Sequence, residues 1–342
     1  MTSQRPDGFS LIELIVAVGM AVAIGAMLLD FAATSQRVAR LEPDTADLSQ
    51  RMRVAAGSIE RSLRFAGGTA PHGPVGTLSS FLPPILPART GLQAADGELT
   101  AFPDRISILT VGDRAWSARV SDDLPDARAD IPIEADAPGC PAGGLCGFTE
   151  GTRAVIIDTE RLGAGYDLFS VTHTTTGLGH AVPNPPLSKL YRAGTSAVVP
   201  VEQSVYYLDR AARRLMRYDG FRSALPLVDQ VLDLRFAYFA DPHPASVAAP
   251  GDGEGNCAFG PGDPPPPLLA PLGGSTIVEI PLARFTDGPF CGVAPNRFDA
   301  DLLRIRRVRV TLRLRAADAS VRDFEVTFHV APRNMVASVP SR

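Results

Sequence analysis

A single acidic residue interrupts the long apolar run near the start of this chain. Glu13 is the only charged residue between Phe9 and Leu29, and the other twenty positions of that window are uncharged and almost all apolar. A run of this length fits one membrane-crossing helix of about 20 residues. A carboxylate inside such a helix costs on the order of 2.5 kcal/mol near the bilayer centre, so Glu13 is a candidate functional residue.

Two ordinary explanations of the apolar run leave Glu13 unexplained. The first is a secretory signal whose apolar region is residues 14 to 29, with Ala32-Ala33-Thr34 as its cleavage site. An acid at the start of that region argues against this explanation. The second is a plain single-pass anchor, which gives no reason for the spacing Gly-Phe-x-x-x-Glu.

Residues 6 to 14, with the sequence PDGFSLIEL, resemble the cleavage and methylation motif of type IV prepilins and type II secretion pseudopilins. That motif is a short polar leader ending in Gly, then Phe, then Glu as the fifth residue after the cut, then an apolar helix. The resemblance implies cleavage by prepilin peptidase between Gly8 and Phe9, followed by N-methylation of Phe9. It also implies that Glu13 pairs with the N-terminal ammonium of a neighbouring subunit and so fixes the axial register of the filament.

The same resemblance implies a location and a set of partners. Basic residues flank the apolar run on both sides, so the predicted orientation rests on the motif rather than on charge. The leader is expected in the cytoplasm and the head in the periplasm, on a single-pass inner-membrane protein that later joins the pilus at the cell surface. The implied partners are prepilin peptidase, other major and minor pilins, the inner-membrane assembly platform, and membrane lipid before assembly.

Residues 9 to about 66 have the pattern of one long helix with an interruption. Pro43 is expected to kink or break it, because proline removes a backbone donor and clashes with the preceding turn. Beyond Pro43, apolar residues at spacings of three and four predict a stripe that packs on a sheet, and Gly67-Gly68 is expected to end the helix. The stripe is Leu48, Met52, Ala55, Ile59, Leu63 and Ala66.

The remainder of the chain has the pattern of antiparallel strands. Regular alternation of apolar and polar residues predicts strands with one wet face, and short polar turns predict two hairpins. The predicted strands are 105–111, 153–158, 204–209 paired with 214–218, 231–239, and 307–315 paired with 323–330.

These elements predict a pilin-like α+β fold, in which a long N-terminal helix, membrane-spanning in its first half, packs on an antiparallel β-sheet head with long loops. Pro and Gly are concentrated between residues 241 and 274, which indicates a long surface loop. The predicted divisions are a leader at 1–8, a membrane and filament-core helix at 9–30, an amphipathic half-helix at 31–67, and a head at 68–342.

All four cysteines lie after the membrane segment, in the part expected to face an oxidising compartment. Sequence proximity favours the pairs Cys140–Cys146 and Cys257–Cys291, although four cysteines permit three connectivities. The larger loop would contribute roughly 3 to 4 kcal/mol in the chain-entropy model.

Within the family, scattered segments resemble PilW-type minor pilins, which are commonly of this length. They are RMRVAAGSIERSLRFAGG, SVYYLDRAARRLMRYDG, LVDQVLDLRFAYFA and VTFHVAPRN. The resemblance implies a role with other minor pilins in priming assembly near the tip. The J-type pseudopilins of type II secretion share a fainter version and stay an alternative, as does a membrane-tethered binding domain or adhesin. Residues 70 to 200 resemble no segment of these families.

No catalytic motif accompanies these features, so the chain is not expected to be an enzyme or to carry a cofactor. The five histidines are dispersed, and the sequence contains no H-E-x-x-H, G-x-S-x-G or Walker loop. A net charge of −4 gives no reason to expect a nucleic-acid partner. Asp252-Gly-Glu-Gly-Asn256 resembles the first half of a calcium loop, but Cys257 stands where glycine is required, and a hydrophilic turn is the preferred interpretation.

Overall fold

The computed structural model describes residues 10–93, 95–135, 140–141, 145–160, 162–181, 186–243, 253–316 and 322–335, and leaves the side chains of 34 and 37–44 undescribed. Its first element is one α-helix, α1, which spans Leu11–Arg64 over 54 residues. At a rise of 1.5 Å per residue, α1 is about 80 Å long. The rest of the described chain is an antiparallel β head, so the fold is α+β.

The helix runs without a break through Pro43, and the predicted break is therefore wrong. A single proline removes the backbone hydrogen bond to the carbonyl four residues earlier, and the long helical segments on both sides carry the helix across this loss. The helix ends at Arg64, and Gly67 and Gly68 follow with φ of +80° and +110°, values that favour glycine.

Sixteen strands follow the helix in the described part of the chain. They are β1 (Ile85–Leu86), β2 (Arg105–Thr110), β3 (Ala118–Arg119), β4 (Arg153–Asp158), β5 (Tyr166–Thr174), β6 (Leu178–Ala181), β7 (Ser196–Pro200), β8 (Glu202–Asp209), β9 (Arg214–Tyr218), β10 (Ala224–Val228), β11 (Val231–Ala240), β12 (Val278–Ile280), β13 (Phe290–Cys291), β14 (Phe298–Asp299), β15 (Ile305–Leu314) and β16 (Phe324–Val330). Short 3-10 helices lie at Leu78–Ser80, Leu282–Thr286 and Ala300–Arg304.

The strands form three main sheets and one small hairpin, with all strand pairs antiparallel. The first sheet has the order β1-β2-β8-β9-β10, the second β12-β11-β15-β16, and the third β3-β7-β4-β5-β6, while β13 pairs with β14. The predicted hairpins β8–β9 and β15–β16 are both present, and in the second of these Arg313 lies opposite Glu325. Strands β7 and β8 are consecutive in sequence but belong to different sheets, so the chain crosses from the third sheet to the first at Val201.

Two hydrophobic cores fill the head. The larger core packs the second half of α1 against the first and second sheets and against one face of the third. The smaller core lies on the opposite face of the third sheet. Strand β4 divides its side chains accordingly, with Val155 and Ile157 in the larger core and Ala154 and Ile156 in the smaller. Alternation along a strand buried on both faces produces this division.

The Pro/Gly-rich segment predicted as a loop at 241–274 is partly packed into the head. Residues 244–252 lie outside the described residues. The described part has no strand longer than a single bridge between Phe259 and Pro267, yet Ala258 and Leu269 are buried in the larger core. This segment is therefore an irregular excursion that is anchored within its length.

Candidate functional site

The N-terminal part of α1 carries the predicted processing motif. Gly8 and Phe9 lie outside the described residues. The segment Leu11–Ala33 is long and apolar enough to cross a membrane, and none of it is buried against the head. At 1.5 Å per residue its 23 residues extend about 35 Å, slightly more than the hydrocarbon thickness of a bilayer. These properties fit a single membrane anchor or a signal sequence.

Glu13 lies in the first turn of this apolar helix. One of its carboxylate oxygens accepts a hydrogen bond from the backbone N–H of Ser10, the N-cap residue, over 3.1 Å. This is the glutamate half of a capping box, and it places a negative charge at the positive end of the helix dipole. An ionised carboxylate can accept about four hydrogen bonds, so this single contact leaves most of its capacity unused.

The second half of α1 is held on the head by an apolar stripe and by polar contacts on either side. All six stripe residues predicted from the sequence are buried, and Ile59 and Leu63 are fully so. On one flank the hydroxyl of Tyr206 in β8 donates to the carbonyl of Ser58 over 3.1 Å, with the hydroxyls of Ser58 and Ser62 each 2.9 Å away. The second half of α1 is thus held on the head by packing and by hydrogen bonds, and the apolar first half continues from it in the same helix.

At the end of the helix, the C-terminal segment supplies a further contact. The N–H of Arg333, just after β16, donates to the carbonyl of Arg64 over 3.0 Å. A carbonyl in the last turn of a helix has no partner within the helix, and this contact satisfies one of them. Tyr206 and Arg333 make structural contacts that the hydrophobic pattern of α1 could not predict. Ser58 and Ser62, four residues apart beside the stripe, are a sequence signal for the first of these contacts.

Both cysteine pairs favoured by sequence proximity are bonded. Cys140 is bonded to Cys146, and Cys257 to Cys291, and the described residues include no free cysteine. The second disulfide fastens the Pro/Gly-rich segment to β13. It packs against Gly163, where an added Cβ would lie 2.5 Å from the sulfur of Cys257.

A buried arginine also fixes the Pro/Gly-rich segment. Arg304 is fully buried and donates to the carbonyls of Asp241, Pro242 and Ala270, and to the carboxylate of Asp301, over 2.7 to 3.0 Å. Because these carbonyls lie at the two ends of the segment, Arg304 joins its start to its finish. The buried charge of Asp301 is further balanced by Arg284 at 3.1 Å.

Asp299 is a second buried acid in the same region. Its two carboxylate oxygens accept hydrogen bonds from the backbone N–H groups of Gly288, over 2.6 Å, and of Asp301, over 2.8 Å. Burial raises the pKa of Asp299 to about 6, since desolvation penalises the ionised carboxylate and the nearby carboxylates of Asp301 and Asp287 add to this effect. These contacts are those of a structural network that supports the β13–β14 hairpin.

The histidines remain dispersed in the folded head. Each has its own neighbour: His72 stacks on Trp116, His173 contacts Asp130, His180 contacts the carbonyl of Ala129, His243 contacts Asp241, and His329 lies near Phe239. Within the described ranges, no three His, Cys, Asp or Glu side chains form a group that could hold a metal ion.

The calcium-like segment is only partly described, because Asp252 lies outside the described residues. The side-chain oxygen of Asn256 accepts from the backbone N–H groups of Ala258 and Phe259, over 2.8 and 3.0 Å. Asn256 thus closes a turn of its own backbone, in keeping with the preferred interpretation of this segment as a hydrophilic turn.

The structure therefore offers one candidate functional surface that coincides with a sequence motif: the exposed apolar half of α1 with Glu13 in its first turn. The chain matches no family model, no curated protein and no solved structure.

Proposed function

We propose that this chain is a type IV pilin-like subunit, a PilW-like minor pilin that is processed by prepilin peptidase and helps to prime pilus assembly near the tip. One observation carries the proposal. The sequence Gly8-Phe9-Ser-Leu-Ile-Glu13 leads directly into a helix whose next sixteen residues, 14 to 29, are uncharged, almost all apolar and not covered by the head. An anchor that only tethered the head would need no acid at that position.

The apolar half of α1 can exchange one apolar environment for another. Lipid chains satisfy its surface in the membrane, and the apolar helices of neighbouring subunits satisfy it equally well in a filament. The free energy of this transfer is therefore small, and a specific contact can decide its direction. Glu13 supplies that contact, because a buried carboxylate gains most from a partner of opposite charge such as the N-terminal ammonium of the next subunit.

The unbroken helix from Leu11 to Arg64 links this contact to the head. Because the second half of α1 is packed into the larger core, any axial position taken by Glu13 also sets the position of the head. The pairing of one carboxylate with one ammonium would thus place the whole subunit in register, as buried polar residues do in coiled coils.

Cleavage is tested by expressing the precursor with and without prepilin peptidase. We expect the mature protein to begin at an N-methylated Phe9, and Gly8→Ala to leave the precursor uncut, as seen on a blot and by N-terminal mass spectrometry. Gly19→Ala is the matched control, since it makes the same substitution within α1, where an added Cβ would meet nothing within 4 Å. Normal processing of Gly8→Ala, or a mature N-terminus elsewhere, contradicts the proposal.

The role of Glu13 is tested by its incorporation into sheared filaments. Glu13→Ala and Glu13→Gln should insert into the membrane and be cleaved, yet reach the filament fraction in much lower yield. The glutamine variant keeps the shape and an acceptor for the Ser10 N–H but removes the charge, so it isolates the ionic pairing from helix capping. Unchanged yields for both variants would argue against pairing.

The assignment as a minor subunit is tested by stoichiometry. Quantitative mass spectrometry of purified pili should find this chain at a small fraction of the major pilin, and deletion of its gene should reduce the number of pili. Neighbouring genes that encode a secretion machine rather than pilus subunits would favour a type II secretion pseudopilin instead.

A further inference from the structure

A cleft of about 640 Å³ opens on the head where the first and third sheets meet. It lies beside the crossing from β7 to β8, and its lining includes Trp116, Phe148, Val201 and Glu202. Ligand sites commonly have volumes of about 300 to 1,000 Å³ and commonly lie where two structural units meet. The cleft is separate from α1 and from the processing motif.

Trp116 is the only tryptophan in the chain and is half-buried at this cleft. The ring of the exposed His72 stacks on it, with centroids 4.2 Å apart and planes 14° apart. The backbone fixes this pair, because the carbonyl of His72 accepts from both the N–H and the hydroxyl of Ser117 over 3.0 Å. Gly73 permits the close approach, since an added Cβ there would lie 1.9 Å from the carbonyl oxygen of Ser117.

The same cleft is lined by charged side chains that have no hydrogen-bond or ion-pair partner among the described residues. Asp113, Arg114 and Glu202 are exposed, and none of their side chains makes a hydrogen bond or ion pair with any residue in the described ranges. Some arginines elsewhere in the head pair with acids, as Arg105 does with Asp96 and Asp104. The cleft thus combines a flat aromatic surface with unused hydrogen-bond donors and acceptors.

These features select the chemistry of a ligand. Two carboxylates accept hydrogen bonds and Arg114 donates them, while Arg153, which also lines the cleft, brings the charge of the lining close to balance. A suitable ligand would be uncharged, would offer donors and acceptors together, and would have an apolar face to lie against an aromatic ring. A sugar ring has hydroxyl groups at its edge and C–H groups on its faces.

From this geometry we infer that the cleft binds a neutral carbohydrate, with a sugar ring packed against the stacked pair of His72 and Trp116 and its hydroxyl groups hydrogen-bonded to Asp113, Arg114 and Glu202. Pro141 and Cys146 form part of the wall, and the Cys140–Cys146 disulfide links this wall covalently within the head. A preformed site loses less conformational entropy on binding.

The test uses the full-length protein in polyoxyethylene detergent micelles, because maltoside and glucoside detergents would themselves present sugars. Cellobiose, maltose, lactose and chitobiose are titrated while the fluorescence of Trp116 is recorded, which reports on the site directly since the chain has one tryptophan. We expect a saturable change with at least one disaccharide. Glu202→Gln should weaken that binding by about tenfold, which is the loss of about 1.4 kcal/mol.

Glu325→Gln is the control, because Glu325 is an exposed acid on β16 that does not line the cleft. Its affinity should equal that of the unaltered protein. Calorimetry is used for the tryptophan variants: Trp116→Ala should abolish measurable binding, and Trp116→Phe should keep part of it by restoring an aromatic face. Circular dichroism confirms that each variant is folded.

No saturable response to any of the four sugars at about 10 mM, which corresponds to binding weaker than about 3 kcal/mol, would overturn the inference. Unchanged affinity of a folded Trp116→Ala would overturn it as well, as would saturable binding of a nucleoside or an amino-acid amide in place of the sugars. Since the assay uses unassembled protein, its outcome is independent of the pilus proposal.

Discussion

The two halves of α1 are continuous in backbone but opposite in surroundings. In the first half apolar side chains point in every direction and are exposed, with Leu11 and Ile15 at 76% and 61%. In the second half one stripe is buried and the rest of the surface is polar or exposed. The difference shows how one secondary structure can serve two environments: apolar residues all round suit a surrounding apolar medium, whereas a 3.6-residue stripe suits one packed face.

The head and the first half of α1 also differ in the contacts that each makes with an isolated acid. In the head, Asp299 is surrounded by protein and receives two backbone N–H groups that the fold holds in place. In the first half of α1, Glu13 is exposed and, among the described residues, receives one N–H, from Ser10. The head therefore satisfies its acid internally, and the helix leaves its acid available to an external partner.

The largest difference is expected between two equivalent isoleucine truncations. Ile59→Ala should lower the free energy of unfolding of the head by about 2 to 5 kcal/mol, because it opens a cavity at a fully buried site. Ile15→Ala should leave it unchanged, since Ile15 contacts no part of the head. Denaturant unfolding in detergent, followed by Trp116 fluorescence, measures both, and equal effects would contradict the division of α1 into two regions.

Removal of the disulfide that closes the longer loop should lower the free energy of unfolding more than removal of the other disulfide. The pair Cys257–Cys291 spans 34 residues and Cys140–Cys146 spans 6. In the chain-entropy model, replacing both Cys257 and Cys291 by Ser should lower the free energy of unfolding by about 4 kcal/mol. Replacing both Cys140 and Cys146 by Ser should lower it by about 2 kcal/mol. Unfolding curves with and without reductant test this order, and a larger loss for the short loop would contradict it.

Asp299 should give the head a specific pH dependence. Its folded pKa, raised to about 6 by burial, exceeds its unfolded value near 4, so the folded state binds the proton more tightly. The contribution of this residue to stability is then full below about pH 4 and falls, by up to about 3 kcal/mol, as the pH rises to about 6.

Other carboxylates also affect how stability changes with pH: burial raises the pKa of Asp167, and hydrogen bonds from His243 lower the pKa of Asp241. Both acids are present in the unaltered protein and in Asp299→Asn, so the difference between the two proteins isolates the contribution of Asp299. The difference in unfolding free energy between variant and unaltered protein should shift in favour of the variant from pH 4 to pH 7. A difference that is constant with pH would exclude Asp299 as the titrating group.

The smallest expected effect concerns the hydroxyl that holds the second half of α1. Tyr206→Phe should cost about 1 to 2 kcal/mol, because it leaves the groups of Ser58 and Ser62 without their partner. Tyr238→Phe is the matched control: its hydroxyl is buried and has no hydrogen-bond partner in the described part of the chain. Its removal should be neutral or stabilising, and equal losses for both variants would contradict the role of Tyr206.

Local patterns of the sequence predicted much of the architecture. Strict alternation in 231–239, 307–315 and 323–330 predicted three strands of the second sheet, with β15 and β16 correctly paired. The six-residue stripe of α1 was likewise predicted in full. These predictions succeed because each depends on a repeat within one element, and a repeat of side chains specifies which face is buried.

Local sequence patterns did not predict the candidate cleft. Its residues come from the loop after α1, the turn after β2, the segment leading into β4, and the β7–β8 crossing, and no local pattern relates them. A lone tryptophan in the unassigned span 70–200 was the one available signal.

The sequence alone thus determined the apolar span with its single acid, the stripe of α1, and the alternating strands, because each is encoded by residues close together in the chain. Only the tertiary structure decided that α1 continues through Pro43, that β2 pairs with β8 almost one hundred residues later, and that Arg304 joins both ends of the Pro/Gly-rich segment. The free energy of these features comes from contacts between distant residues, which the local sequence cannot specify.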